Sequence, residues 1–331
     1  MRRLLSFVVL MMVIATTSAQ QDPQFTQWFN DKLSFNPATA GLNDSHCFSG
    51  FYRSQWVGFD TPDGSPDGFP EPNNPANVVN PRTGMFNYSA SLNPNFGLGF
   101  TFYNDRLGLE TNNVFKLSGA YKKVLNGGTH FAGGLSLGFY QKKLGEEWIF
   151  IDPDDPNIPQ GAQSDGVFDL GLGVYLSEPN KWYAGVSATH LSGGDMEQLN
   201  IGVQQHFFFM GGYNFDINSD WKLRTNALGK WDTNKFAFDL NANAMYMDML
   251  YAGLTYRPGD AIAPMVGIEY CTGSTSKTQE KNQCFKLGYS YDVTTSDVSS
   301  YSSGSHEIFV SYCIKLVPKV IISKHSNPRF L

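Results

Sequence analysis

The sequence predicts an all-β fold, a closed up-and-down transmembrane β-barrel of about fourteen antiparallel strands. Three observations predict it. A secretory signal opens the chain, and a long series of short segments follows in which apolar residues alternate with small or polar ones. No later stretch approaches about 18 uninterrupted apolar residues, so helical membrane spans are not expected.

The signal comes first. Arg2 and Arg3 form a basic start, Leu4 to Ile14 a short apolar run, and Thr17-Ser18-Ala19 a small-residue cleavage site, which places cleavage between Ala19 and Gln20. The apolar run is too short to cross a bilayer as a helix, which takes about 20 residues. The chain then divides into a signal peptide (1–19), an N-terminal periplasmic or plug segment (20–44), an outer-membrane barrel (45–317) and a C-terminal tail (318–331).

Composition agrees with a membrane strand protein. Charged residues are 16% and aromatic residues 15% of the chain, with 33 Gly. Soluble globular chains are typically about 25% charged, so this surface is short of ions. Once Arg2 and Arg3 leave with the signal, 22 basic residues face 30 acidic ones, a formal charge of −8. No basic patch interleaved with aromatic residues exists, which excludes a nucleic-acid partner.

The strands follow in order at about 46–58, 84–92, 96–104, 111–123, 129–141, 167–176, 181–190, 202–214, 220–229, 235–246, 249–257, 262–271, 284–292 and 305–316. In 96–103, Phe96, Leu98, Phe100 and Phe102 share one face and Gly97, Gly99, Thr101 and Tyr103 the other. In 168–176, Phe168, Leu170, Leu172, Val174 and Leu176 oppose Asp169, Gly171, Gly173 and Tyr175. The same plan sets Phe131, Leu135, Leu137 and Phe139 against His130, Ser136, Gly138 and Tyr140. It recurs with Phe236, Phe238 and Leu240 against Asp239, Asn241 and Asn243, and with Ile308, Val310 and Tyr312 against Glu307, Ser311 and Cys313.

Alternation alone would also suit a soluble sandwich or a lipocalin-like barrel. The membrane barrel is favoured because the second face carries Gly, Ser, Asp and Asn rather than Lys and Glu. Aromatic residues also recur at strand ends (Trp56, Tyr103, Trp148, Trp182, Trp221, Trp231, Tyr256), as interfacial girdles do. With the N-terminus in the periplasm, the short connections (93–95, 126–128, 178–180, 218–219) are all even. The long ones (about 59–83, 143–166, 191–201, 293–304) are all odd, which is the barrel asymmetry. The exception is 272–283, even but long. The proline-rich 60–81 and the run DPDDPNIPQGAQSDG at 152–166 read as exposed loops.

Cys47, Cys271, Cys284 and Cys313 sit in a chain sent to an oxidising compartment, and their spacing fits no zinc pattern. Cys271 and Cys284 bracket the anomalous connection, and a bridge there would staple two strand ends. Cys47 and Cys313 both point inward on the first and last strands, which must adjoin in a closed barrel. They can bridge if register brings their Cα atoms within about 7 Å. Four free thiols are the alternative.

No catalytic constellation emerges and no enzyme is expected. Asp152, Asp154 and Asp155 could suggest calcium, but Pro153 and Pro156 interrupt them and a solvated acidic loop is the better reading. Glu146 and Glu147 are strand neighbours that point apart. None of the six His sits in H-E-x-x-H or beside a nucleophile. The Gly-x-Gly triplets at 97–99 and 171–173 lie inside strands, where Gly fits crowding in the lumen. No cofactor is expected. Asp169, Asn241, Asn243, Glu269 and Glu307 are the expected lumen groups.

The stretch Gln21-Asp22-Pro23-Gln24-Phe25-Thr26-Gln27, followed by Asn36-Pro37-Ala38 and Ala40-Gly41, resembles the opening of the PorP/SprF family. Arg53-Ser54-Gln55-Trp56, Asn104-Asp105 with Gly108, Gly288-Tyr289-Ser290-Tyr291-Asp292, Gly304, His306-Glu307 and Pro328-Arg329-Phe330 resemble its later elements, in order. The resemblance implies an outer-membrane barrel of the Bacteroidota type IX secretion and gliding machinery, with no enzymatic activity. Members support secretion or surface attachment of particular cargo, often large adhesins with a type B C-terminal domain. One branch links the motor complex to a peptidoglycan-binding lipoprotein. The implied partners are secretion components, a surface adhesin and outer-membrane lipid. The competing functional class is a diffusion porin, which would need an unobstructed lumen.

In residue terms, the segment carrying Asp22, Pro23, Gln24, Phe25, Gln27, Trp28, Phe29, Asn36 and Pro37 is the candidate functional element. It is either a lumen plug or a periplasmic docking arm, and an N-terminus that merely packs into the barrel is as good a reading as a partner site.

Overall fold

The computed structural model describes residues 22–58, 80–125, 127–145, 161–199, 201–275 and 278–315. Its strands are β1 (His46–Ser54), β2 (Arg82–Asn93), β3 (Phe96–Leu107), β4 (Glu110–Val124), β5 (His130–Leu144), β6 (Gln163–Glu178), β7 (Trp182–Thr189), β8 (Asp195–Met196), β9 (Ile201–Gly202), β10 (His206–Asp216), β11 (Trp221–Trp231), β12 (Phe236–Tyr246), β13 (Leu250–Arg257), β14 (Ala261–Thr275), β15 (Thr278–Thr294) and β16 (Ser305–Ile314). All except β8 and β9 form one closed antiparallel barrel. β7 pairs with β10, and β1 pairs with both β2 and β16, so the described sheet has no open edge. Closure leaves no backbone N–H or C=O unpaired toward lipid, which a membrane span requires.

The barrel strands largely follow the two-residue period where their side chains are described. Phe168 is 78% exposed while its neighbour Asp169 is 3% exposed. The outward face is a belt of large apolar groups such as Phe86, Leu117, Leu137 and Phe238. An apolar surface this continuous belongs against lipid rather than water. Aromatic pairs bind neighbouring strands near both rims: Trp221 with Tyr246 (centroids 4.7 Å apart), Phe96 with Tyr121 (5.2 Å) and Phe207 with Trp231 (5.2 Å). Tyr103, expected in a girdle, instead faces inward and is 4% exposed. It occupies the inward parity of β3, and its hydroxyl finds a partner inside the lumen.

The even connections are all short. Residues 272–283 are not the long loop that the sequence suggested. β14 and β15 keep pairing to Thr275 and Thr278, with a register shift at Ser274/Thr275. The stretch lacks an apolar face, so it gave no strand signal. A hairpin that extends past the hydrocarbon layer needs only its ladder hydrogen bonds. The odd connection after β7 is a folded cap. There β8 pairs with β9, Met196 is fully buried, and Leu199, Ile201 and Val203 pack against the interior cluster. Of the other long odd connections, the one after β15 is described and carries a 3-10 turn, Asp297–Ser300. Those at about 59–83 and 143–166 fall largely outside the described residues, together with the acidic run at 152–155, Glu146, Glu147, Trp148, the signal cleavage site and the tail.

The core lies inside the barrel. Phe25, Trp28, Phe29 and Phe35 precede β1 and form one buried cluster with Phe51, Met85, Phe208, Met210, Tyr251, Met265 and Phe309 of the wall. The polar interior expected from Gly, Ser, Asp and Asn is therefore incomplete: part of the lumen wall is apolar because apolar chain lies against it.

Candidate functional site

Residues 22–43 run through the lumen. Asp22 lies beside the end of β7, at the rim of the odd connections, and Asp44 bonds Lys122 at the opposite rim. Two 3-10 turns, Trp28–Asn30 and Pro37–Thr39, compact the segment on the way. Trp28, Thr26, Gln27, Asn36, Ala38 and Ala40 are completely buried. For residues 22–43 the structure selects the plug over the periplasmic arm.

Six residues tie the plug to the wall beside the closing seam. Arg53 reaches Asp292 at 2.7 Å and Glu307 at 3.3 Å, and Arg257 pairs with Asp292 as well. Two guanidinium groups thus meet two carboxylates, all within 3% of complete burial. The Thr26 hydroxyl sits among them, accepting from Arg53 (3.0 Å) and Arg257 (2.9 Å) and donating to Asp292 (2.8 Å). One donor and two acceptor sites exhaust a hydroxyl, so Thr26 is saturated. The Thr26 and Gln27 backbone N–H groups donate to Glu307 at 2.7 and 2.8 Å. Buried charges stay charged only when paired and hydrogen-bonded in this way.

Further along, the wall is cut back to admit the plug. Asn36 donates to the Val174 and Val186 carbonyls at 3.1 and 3.4 Å, and its side-chain oxygen accepts from the Ala38 N–H at 3.0 Å. That oxygen fills the space where a Cβ on Gly173 would stand. A Cβ on Gly134 would overlap the Pro37–Ala38 backbone, and one on Gly97 the Ala40 carbonyl. Asp31 accepts from Ser49 and, at 3.1 Å, from Asn87. Gln24 accepts from Lys230 at 3.3 Å. Two cavities, of about 120 and about 230 Å³, remain between plug and wall toward the rim of the even connections.

Electrostatics at the plug follow from its burial. Burial, reinforced by Lys286 and Arg224, pushes the Lys32 ammonium down to about 8, against the opposing pull of Asp31. Burial would raise the Asp22 carboxyl, but His190 and Lys116 outweigh it and hold the group well below the usual carboxylate range. Burial would likewise discharge His190, yet the Asp22 carboxylate and the bond to Asp169 lift it to about 9.

All four cysteines lie in one row across β1, β16, β15 and β14. Cys47 bridges Cys313 and Cys271 bridges Cys284, each pair with Cα atoms 4.0 Å apart. The first bridge crosses the seam where the barrel closes.

The sequence singled out Asp22, Pro23, Gln24, Phe25, Gln27, Trp28, Phe29, Asn36 and Pro37, and the structure gathers all of them into the lumen. It missed Arg257, Lys122, His190 and His206, whose partners are remote in sequence. Phe51 and Phe309 carried a usable signal, since large apolar residues at inward positions ask for an apolar occupant.

A closed barrel with a lipid-facing apolar belt and a chain-filled lumen is an outer-membrane protein. A family model described as type IX secretion system membrane protein PorP/SprF matches residues 17–312, and the chain belongs to that family. No curated protein matches it. Among solved structures, the Ralstonia pickettii toluene transporter TbuX is similar at TM-score 0.51 and 11% identity, over 86% of this chain and 93% of that one. A mutant of the TodX monoaromatic hydrocarbon channel is similar at TM-score 0.52 and 11% identity, over 87% of this chain and 94% of that one. At such identity the likeness concerns the barrel fold alone.

Proposed function

We propose that this chain is a non-enzymatic outer-membrane partner of the type IX machinery, supporting secretion or surface attachment of a particular cargo, an adhesin with a type B C-terminal domain, or the gliding apparatus. The observation that carries this reading is the plug: residues 22–43 fill the lumen and are bonded to the wall along their whole length. A barrel built to pass small solutes would keep that space open. A plugged barrel offers its rims instead, as an anchor that resists lateral pull through fourteen paired strands. The odd connections would face the cell exterior and the even turns the periplasm, following the loop asymmetry.

The alternative is a diffusion channel, which would need an unobstructed lumen. The plug argues against it. Purified protein in planar bilayers is expected to show negligible conductance, and native-membrane purification is expected to recover type IX components or a large surface protein. A stable ohmic conductance with no co-purifying partner would replace this reading with the channel.

A further inference from the structure

The outer end of the plug meets two histidines that the clasp of Arg53 and Arg257 does not use. Asp22, His190 and His206 each offer one ligand atom here, the three atoms lying within 4.8 Å of one another. We propose that these three residues bind one divalent transition ion of the zinc class, latching the end of the plug to the barrel wall.

The backbone explains how the two rings meet. His206 opens β10 and pairs in register with Thr189, the last residue of β7. His190 follows with φ +58°, which ends the strand alternation, so Thr189 and His190 are buried in succession at 1% and 2% exposure. Imidazole from two adjacent strands then faces Asp22 from the plug.

At His206, proton placement leaves Nε2 free for metal. His206 Nδ1 lies 3.0 Å from the Gln204 carbonyl, which can only accept, so Nδ1 carries the proton and Nε2 presents its lone pair. That Nε2 is buried and has no hydrogen-bond partner. His190 Nδ1 lies 3.3 Å from Asp169 in a bent contact, and Asp169 is itself 3.7 Å from Lys116. A carboxylate behind an imidazole is the usual support for a metal-ligating ring. One edge of the triangle already has the spacing of a metal site: Asp22 Oδ1 and His190 Nε2 are 3.2 Å apart. A tetrahedral ion with bonds of about 2.0–2.1 Å sets its ligands roughly 3.3 Å apart.

A cavity of about 20 Å³ bordered by Asp22 and His206 leaves a position for a water ligand. Lys230 also borders it, but its charge is matched by Asp239 at 2.9 Å. Two imidazoles and one carboxylate suit zinc and its transition-series neighbours, whereas calcium and magnesium require oxygen donors.

The test uses the untagged, folded full-length barrel in detergent, stripped with chelator and titrated with Zn²⁺ alone, then with Co²⁺ as a visible-absorbing probe. One ion per barrel is expected. H206A should weaken binding by at least about 100-fold, while H130A, a lumen histidine at the other rim, should bind like the parent. D22N alters only the plug and should weaken binding comparably, which keeps the test decisive if H206A fails to fold. No saturable Zn²⁺ binding by the folded parent, or equal affinity in the parent, H206A and D22N, would overturn the site.

Discussion

Gln27 donates its backbone N–H to Oε1 of Glu307 at 2.8 Å, joining residues that lie 280 apart in sequence. Thr26 takes the other carboxylate oxygen. Glu307 belongs to β16, the strand that closes the barrel against β1. Plug docking and barrel closure therefore share one carboxylate, and the plug is clasped only once the last strand is in place. Four observable consequences follow from this and related contacts.

Thr26→Val keeps the shape of the side chain but removes a donor to Asp292 and the acceptor shared by Arg53 and Arg257. Hydrogen bonds to charged groups contribute about 1.5–3 kcal/mol each, with strong mutual dependence. Docking of the plug is expected to weaken by roughly 2–3 kcal/mol, read as faster amide exchange across 22–43 with barrel strands unchanged.

Gly134→Val places side-chain atoms where the Pro37–Ala38 backbone runs. Backbone held by its own turn cannot yield cheaply, so the plug should be displaced and the barrel should conduct in planar bilayers. Gly133→Ala is the matched control, because a Cβ there meets nothing within 4 Å. Equal, negligible conductance in both variants would refute the tight fit at Gly134.

Lys32 gives the plug a pH response. Its ammonium faces Lys286 of β15 and Arg224 of β11, lies over the Tyr183 ring of β7, and has Asp31 beside it as a counter-charge. Its folded value of about 8 lies below the ordinary 10.5, so the undocked state holds more protons between those limits. Docking should strengthen as pH rises from about 8 to 10.5 and stay level below 8. Lys32→Met should flatten that rise in amide-exchange measurements.

The two bridges close loops of very different length, with sequence separations of 266 and 13. By chain entropy the longer restrains the unfolded chain by about 5–6 kcal/mol and the shorter by about 3. Replacing Cys47 and Cys313 by Ser should therefore lower the unfolding midpoint more than replacing Cys271 and Cys284. Cys284 and Cys313 are also register neighbours, so a 284–313 peptide in non-reducing maps would contradict this pairing.

Much was legible in the sequence because membrane strands write their environment residue by residue. Phe168 beside Asp169, or Leu98 between two glycines, states which side faces lipid. The even count of strands and most strand positions follow from that pattern. The motifs around Thr26, Arg53, Asp292 and Glu307 could be quoted separately, yet nothing local says that they meet. Nor could the pattern show the β14–β15 extension, whose polar residues form a ladder without an apolar face.

By itself, then, the sequence determined the compartment, the strand alternation and the family resemblance, since each depends on composition over a few neighbouring residues. Only the tertiary structure decided that Asp22–Asn43 is a plug, that Arg257 joins Arg53 on Asp292, and that His190 and His206 converge on Asp22. The reason is barrel closure. It brings β1 against β16 and makes one interior of all fourteen strands, so partners there are set by register and inward direction rather than by nearness in the chain.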